Sequence, residues 1–256
     1  MLSFDQIDQI LKDIHRGVIT SDKLPELLYL DTGGQLQKAL YQGFGFTLSE
    51  LDKNSTAYSL LDSFRNNTYR FSGAKTFQTI RTLESIRFDE NGFLKTFKDY
   101  KRDAIPVYDK YNRQWLKTEI NATTGQSDMA AKWNEFEEEK DLFPLLRYQT
   151  VNDANVREEH AALDNITLPV DDPFWNDYLP LNGFGCRCSV IQLEKAKQTE
   201  FKPGELDEKT NNITPLFKTN PAKNKYIFNP NIHPYFDVPQ KYEASKQLNF
   251  GFQIPE

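Results

Sequence analysis

The chain has 256 residues, enough for one sizeable core or two smaller ones, and 38% hydrophobic with 27% charged residues describes a globular protein rather than a disordered one. A net charge of −6 argues against broad, sequence-independent nucleic-acid binding, which draws most of its free energy from Lys and Arg displacing counterions. No run approaches the roughly 18 consecutive apolar residues of a membrane-spanning helix, and the first residues carry aspartates where a secretory signal is basic, so a cytoplasmic chain with reduced thiols is expected.

In chain order, Phe4, Ile7, Ile10, Leu11 and Ile14 recur at helical spacing, predicting an amphipathic helix that ends near Gly17. Leu24, Leu27, Leu28 and Leu30 begin a second apolar patch that Gly33–Gly34 should interrupt. Leu36, Ala39 and Leu40 then predict a helix ending at the Gly43–Phe46 turn. Gly43 and Gly45 read as a helix C-cap rather than a phosphate loop, because no Gly-Lys-Ser/Thr follows and no strand precedes. Residues 56–100 carry Phe64, Phe71, Phe77, Phe88, Phe93 and Phe97 among polar residues, the pattern of packed helices with core aromatics, and Asn91–Gly92 marks a turn. From Val107 to Phe143 a helical hairpin is expected: Val107, Tyr111, Trp115 and Leu116 line one helix, a polar break falls at Asn121–Gly125, and Met129, Trp133 and Phe136 line the next.

The segment 147–190 concentrates the residue types that are hardest to replace, with a Trp, a His and both cysteines of the chain. Leu145, Leu146, Tyr148 and Val151 have strand-like density, and Asn152–Asp153 stop the run. A helix is expected over Ala154–Leu163, with Val156, His160 and Leu163 on its inner face and Arg157 one turn from Asp153, close enough to pair with it. Asn165–Gly185 has too many Pro, Asn and Gly for regular structure, yet Phe174, Trp175 and Tyr178 should pack it as an ordered loop. Cys186-Arg187-Cys188 leads into Ser189–Leu193, an alternating strand. The fold class expected is therefore α+β: a mostly helical N-terminal half supporting a small strand-helix-loop-strand module. Lys195–Asn212 is a polar segment broken at Pro203–Gly204, and the Pro- and aromatic-rich end, with Phe217, Tyr226, Phe228, Tyr235, Phe236, Phe250 and Phe252, reads as an ordered but irregular extension. Three consecutive regions, 1–106, 107–194 and 195–256, follow.

Arg147, Thr150, Asp153, Val156-Arg157, His160, Leu163-Asp164, the run Asp171-Asp172-Pro173-Phe174-Trp175, Pro180, Asn182-Gly183 and Cys186-Arg187-Cys188 resemble, in order and spacing, the signature of the phage Mu F-like minor head proteins. Phe71–Thr76, Trp115–Glu119 and His233–Phe236 are similar to further family segments. Leu181 stands where Pro is usual, and Asn165 where Gly is common. The resemblance implies a structural minor capsid or head-morphogenesis protein of a tailed phage or prophage. Such a protein associates with the portal protein and other head components at the portal vertex or in the head interior, with packaged DNA as a further contact. It implies the host cytoplasm during assembly, and the virion, as its place, with no membrane.

The same segment raises a chemical alternative. His160, Cys186 and Cys188 are zinc-ligating residue types, and Asp164, one turn after His160, is a candidate fourth ligand. Cys-x-Cys is tighter than the usual Cys-x₂-Cys and lacks a second pair, so the competing reading makes the thiols small buried hydrophobes and bonds His160 to Asp153, Asp164 or a loop carbonyl. A Cys186–His160 nucleophile pair needs an orienting group, for which Asn182 or Asp164 is available. Arg147, Arg157 and Arg187 are expected to be neutralised by neighbouring aspartates as scaffolding. A zinc- or thiol-dependent hydrolase or toxin-like enzyme is thus the alternative to the structural reading.

Overall fold

The computed structural model describes residues 1–202 and 204–255. It is an α+β protein, mostly helical, with one small antiparallel sheet. The chain divides into two compact units, each drawn from separate stretches: Met1–Lys38, Arg65–Ile120 and Pro230–Glu256 in the first, Ala39–Phe64 and Asn121–Asn229 in the second.

Helix α1 (Phe4–His15) starts at a reciprocal capping box: Ser3 Oγ accepts from the Gln6 N–H, and the Gln6 side chain accepts from the Ser3 N–H. Its inner stripe, Ile7, Ile10, Leu11 and Ile14, is buried with Leu28, Ile80, Leu83, Tyr100, Ala104 and Tyr108 in the core of the first unit. Each such aliphatic side chain contributes about 1.5–3 kcal/mol through burial. Helix α2 (Glu26–Phe44) does not break at Gly33–Gly34. The missing Cβ of Gly33 instead admits the Tyr69 ring, which would lie 2.4 Å from a methyl group there. A close packing requirement thus overrides the poor helix propensity of glycine. Gly45, with φ +85°, follows α2 in the left-handed conformation of a C-cap.

Helix α3 (Thr56–Ser85) buries Phe64, Phe71 and Phe77, whereas Phe88 and Phe93, expected in the core, are exposed in the loop beyond it. Helices α4 (Phe97–Asp109) and α5 (Leu116–Glu139) are joined by one π-helical stretch, Lys110–Trp115, so the chain stays helical from 97 to 139. The hairpin break expected at Asn121–Gly125 is absent. Ala122, Thr123, Gln126 and Ser127 are buried, and Gly125 lies against the Leu181 side chain. Local polarity signalled a turn, but tertiary burial holds the helix through it.

The second unit contains the sheet. β1 (Leu145–Gln149) is central, pairing antiparallel with both β2 (Thr167–Pro169) and β3 (Ser189–Leu193), in register Arg147↔Thr167 and Tyr148↔Val190. β2 lies within the stretch expected to be irregular. Thr167, Leu168 and Pro169 are too short a run to show a strand period, and their pairing is supplied by β1. The expected helix over 154–163 shrinks to α6 (Glu158–Ala161), because Asn152 has φ +51°, Asp153 Oδ1 accepts from the Asn155 N–H, and Arg157 is extended. Asp153 thereby satisfies the backbone locally and delays the helix. After β2, α7 (Phe174–Asp177) places Phe174 and Trp175 in a core with Trp133, Leu146, Tyr148, Leu163, Val190 and Phe217.

Of the expected Pro203–Gly204 break, Pro203 lies outside the described residues; Gly204, φ +79°, precedes α8 (Glu205–Thr210). The remaining chain is a series of short turns, with α9 (Pro221–Asn224) in the second unit and α10 (Glu243–Gln247) in the first. Within the first unit, Val238 and Tyr242 pack on Phe77, and Phe252 stacks on Tyr29 at 4.3 Å between centroids.

Candidate functional site

His160, on α6, is 3% exposed, as the inward face predicted. Its Nε2 lies 3.1 Å from the Asn182 carbonyl oxygen, and its Nδ1 lies 3.7 Å from Cys188 Sγ. A carbonyl only accepts, so Nε2 carries the proton that this contact uses. Cys186 completes the cluster: one ligating atom from each of His160, Cys186 and Cys188 falls within 4.8 Å of the other two. Both cysteines are free thiols, Cys188 buried and Cys186 partly so. Hydrogen bonding from the Cys188 thiol, reinforced by His160, holds Cys186 down to about 4 against the effect of burial. The same contact, with burial and the negative charge of Cys186, pushes Cys188 up. Burial lowers the His160 pKa, but hydrogen bonding to Cys186 and its charge outweigh this and leave it raised. The cluster lines a cavity of about 40 Å³ bounded also by Val156, Arg157, Gly185 and Arg187.

The surrounding polar residues form the frame. Asn182 is buried and uses its whole amide: Oδ1 accepts from Tyr148 Oη at 2.9 Å, and Nδ2 donates to the carbonyls of Phe217 at 3.1 Å and Leu179 at 3.3 Å. Its side chain is therefore not the orienting group for His160; its backbone is. Asp164 is also committed elsewhere, with Oδ1 accepting from the N–H and the hydroxyl of Thr150 at 2.7 and 2.9 Å, so the candidate fourth ligand and orienting carboxylate caps the end of β1 instead. Asp153 pairs with Arg187 in a two-pronged bridge of 2.7 and 2.8 Å, not with Arg157 as expected. Arg157 donates to the Phe184 carbonyl, and Arg147 Nε to Thr167 Oγ1 at 2.9 Å. Of the three arginines expected to be matched by aspartates, Arg187 is the one so held among the described residues, because Arg157 and Arg147 find neutral oxygens nearer. Gly183 leaves the space Arg157 needs: a Cβ there would sit 2.6 Å from Nη1. Trp175 is fully buried and donates from Nε1 to the Pro169 carbonyl at 2.9 Å.

A second cluster, in the first unit, joins residues far apart in the chain. Lys75 Nζ donates to both carboxylate oxygens of Glu119, at 2.8 and 2.6 Å, with both side chains buried. The Tyr235 hydroxyl also hydrogen-bonds Glu119, and the Lys75 ammonium lies 5.2 Å from the Tyr235 ring centroid. Nothing in the spacing along the chain joins Lys75 to Glu119, 44 residues away. The pair's available signal was a lysine one turn after Phe71 and between Ala74 and Phe77, on a helix face with no water to solvate it.

Residues 73–191 match the family model described as Phage Mu protein F like protein. Among the relatives, the putative capsid assembly protein F of Escherichia phage Mu is 36% identical over 86 residues, covering 34% of this chain and 20% of that protein. The Mu-like prophage FluMu F protein of Haemophilus influenzae is 39% identical over 143 residues, 55% of this chain and 34% of the relative. The chain thus aligns with about a third or less of each of these two proteins. No solved structure matches it.

The matched stretch holds both clusters' core residues, Lys75 and Glu119 as well as His160, Cys186 and Cys188. It also accommodates the two departures from the family pattern. Asn165 has φ +62°, a conformation in which Gly is strain-free and Asn is the best-tolerated alternative. Leu181 contacts the bare backbone of Gly125, where a Cβ would lie 2.5 Å from its Cδ1. Among the described residues, no helix is long and apolar enough to cross a membrane.

Proposed function

We propose that this chain is a structural minor head protein of a tailed phage or prophage, acting in head assembly through contacts with other head components, the portal protein first among them. The observation that carries this reading is the Mu F-like match over residues 73–191, with a relative from phage Mu named as a capsid assembly protein. The polar frame supports it: Asn182, Asp164, Trp175 and Arg187 bond to one another's segments and to backbone, which rigidifies a module for holding partners. Assembly takes place in the host cytoplasm. The net charge of −6 confines contact with packaged DNA to a local patch.

The test is removal of the gene from an inducible prophage, with affinity purification of the tagged chain from induced cells. Loss of filled heads on deletion and recovery of portal protein with the tag are the expected results. A normal yield of filled, infectious particles, with no head component recovered, would refute the proposal.

A further inference from the structure

We propose that His160, Cys186 and Cys188 form a binding site for one zinc ion that ties α6 to the start of β3. The inference is independent of the head-assembly reading.

Three observations meet at this point. First, one donor pair stands at coordination spacing and the third donor lies close by. With Zn–N near 2.0 Å and Zn–S near 2.3 Å, a tetrahedral site has edges of roughly 3.5–3.8 Å. The Nδ1–Sγ separation of His160 and Cys188 is 3.7 Å, and all three donors lie within 4.8 Å of one another. Second, the imidazole is oriented as a ligand. A metal-bound His usually donates its other ring N–H to a carbonyl or carboxylate, and here Nε2 faces the Asn182 carbonyl at 3.1 Å, leaving Nδ1 toward the thiols. Third, the nearby carboxylates are engaged: Asp164 by Thr150 and Asp153 by Arg187. The donor set is therefore one nitrogen and two sulfurs, which selects a soft or borderline ion over Mg²⁺ or Ca²⁺. Two thiolates neutralise a divalent ion, so its burial leaves no net charge unpaired. The fourth position opens onto the small cavity beside Val156 and Gly185, where solvent completes the shell.

Metal analysis of the full chain, purified reduced and without chelator, tests this directly. The expected content is about one equivalent of zinc, with a lower Tm after chelation that returns on adding Zn²⁺. The reduced apo protein titrated with Co²⁺ should develop the intense thiolate-to-cobalt absorption of a tetrahedral site, saturating at a one-to-one ratio. Cys186→Ser, at the partly exposed ligand, should weaken Co²⁺ binding more than about a hundredfold, as losing a ligand removes more than the roughly 10–100-fold of an outer-shell partner. Less than about a tenth of an equivalent of zinc, with no thiolate–cobalt absorption in the wild-type chain, would overturn the proposal whether or not the variant folds. So would equal reactivity of both thiols toward a disulfide reagent with and without Zn²⁺.

Discussion

The Lys75 ammonium sits between the two carboxylate oxygens of Glu119, 2.8 and 2.6 Å away, with almost no solvent reaching either side chain. Burial penalises both charges, lowering the Lys75 pKa and raising that of Glu119, and each charge is the other's chief compensation. Removing one partner strands the other. Lys75→Met or Glu119→Leu alone should each cost about 3–5 kcal/mol of stability, while the double variant Lys75→Met/Glu119→Leu should recover most of that loss. Urea denaturation of the four proteins gives the coupling energy; additive losses would show that the pair is not coupled.

His233 gives this unit a pH dependence. Burial, with Lys75 nearby, lowers its pKa to about 4, and its Nδ1 accepts from the Tyr235 N–H at 3.2 Å, a bond that protonation at Nδ1 removes. The unfolded chain binds a proton near the ordinary value of about 6.5 while the folded one does not, so stability is full above that pH and falls as pH drops toward 4. In His233→Asn, whose side-chain oxygen can take over the cap, Tm should vary less between pH 7 and pH 4.5 than in the wild type. Equal slopes would count against this assignment.

Asn182 satisfies a tyrosine hydroxyl and two backbone carbonyls in the core of the second unit. Asn182→Ala leaves all three without their partner and should lower stability by about 3 kcal/mol or more, since each unsatisfied buried group costs roughly 1–3 kcal/mol. The denaturation midpoint measures it. A loss below about 1 kcal/mol would mean that water replaces the amide.

Asn165, at φ +62°, occupies a left-handed position. Asn165→Gly should therefore be close to neutral, because it exchanges a side-chain bond to Asp164 for relief of strain. Asn165→Val should cost about 1–2 kcal/mol or more, as a β-branched residue resists this conformation. Thermal unfolding of the two variants distinguishes them, and equal Tm values would contradict the backbone explanation.

Much of the second unit was legible in the sequence. The sequence places His160 and Trp175 inside and sets strands near 145 and 189 on either side of a folded loop, because residue periodicity and large aromatics report burial directly. The sequence left the approach of His160 to the cysteines as one possibility among several; the fold brings them within 4.8 Å. What the chain could not disclose locally was who its partners are. Gly33–Gly34 and Asn121–Gly125 read as breaks, yet Tyr69 and Leu181 need the missing side chains and the helices continue. Thr167–Pro169 becomes a strand because β1 offers its edge.

Sequence alone determined the α+β class, the α1 stripe and the inward face of His160, all of which depend on periodicity and residue chemistry within a short span. Tertiary structure alone decided that Lys75, Glu119 and Tyr235, from three distant segments, share one buried charge pair, and that the Asn182 backbone rather than its side chain orients the imidazole. The physical reason is the same in both cases. A buried charge or ring nitrogen is satisfied by whichever group packing brings within hydrogen-bond reach, and that distance is set by the fold rather than by spacing along the chain.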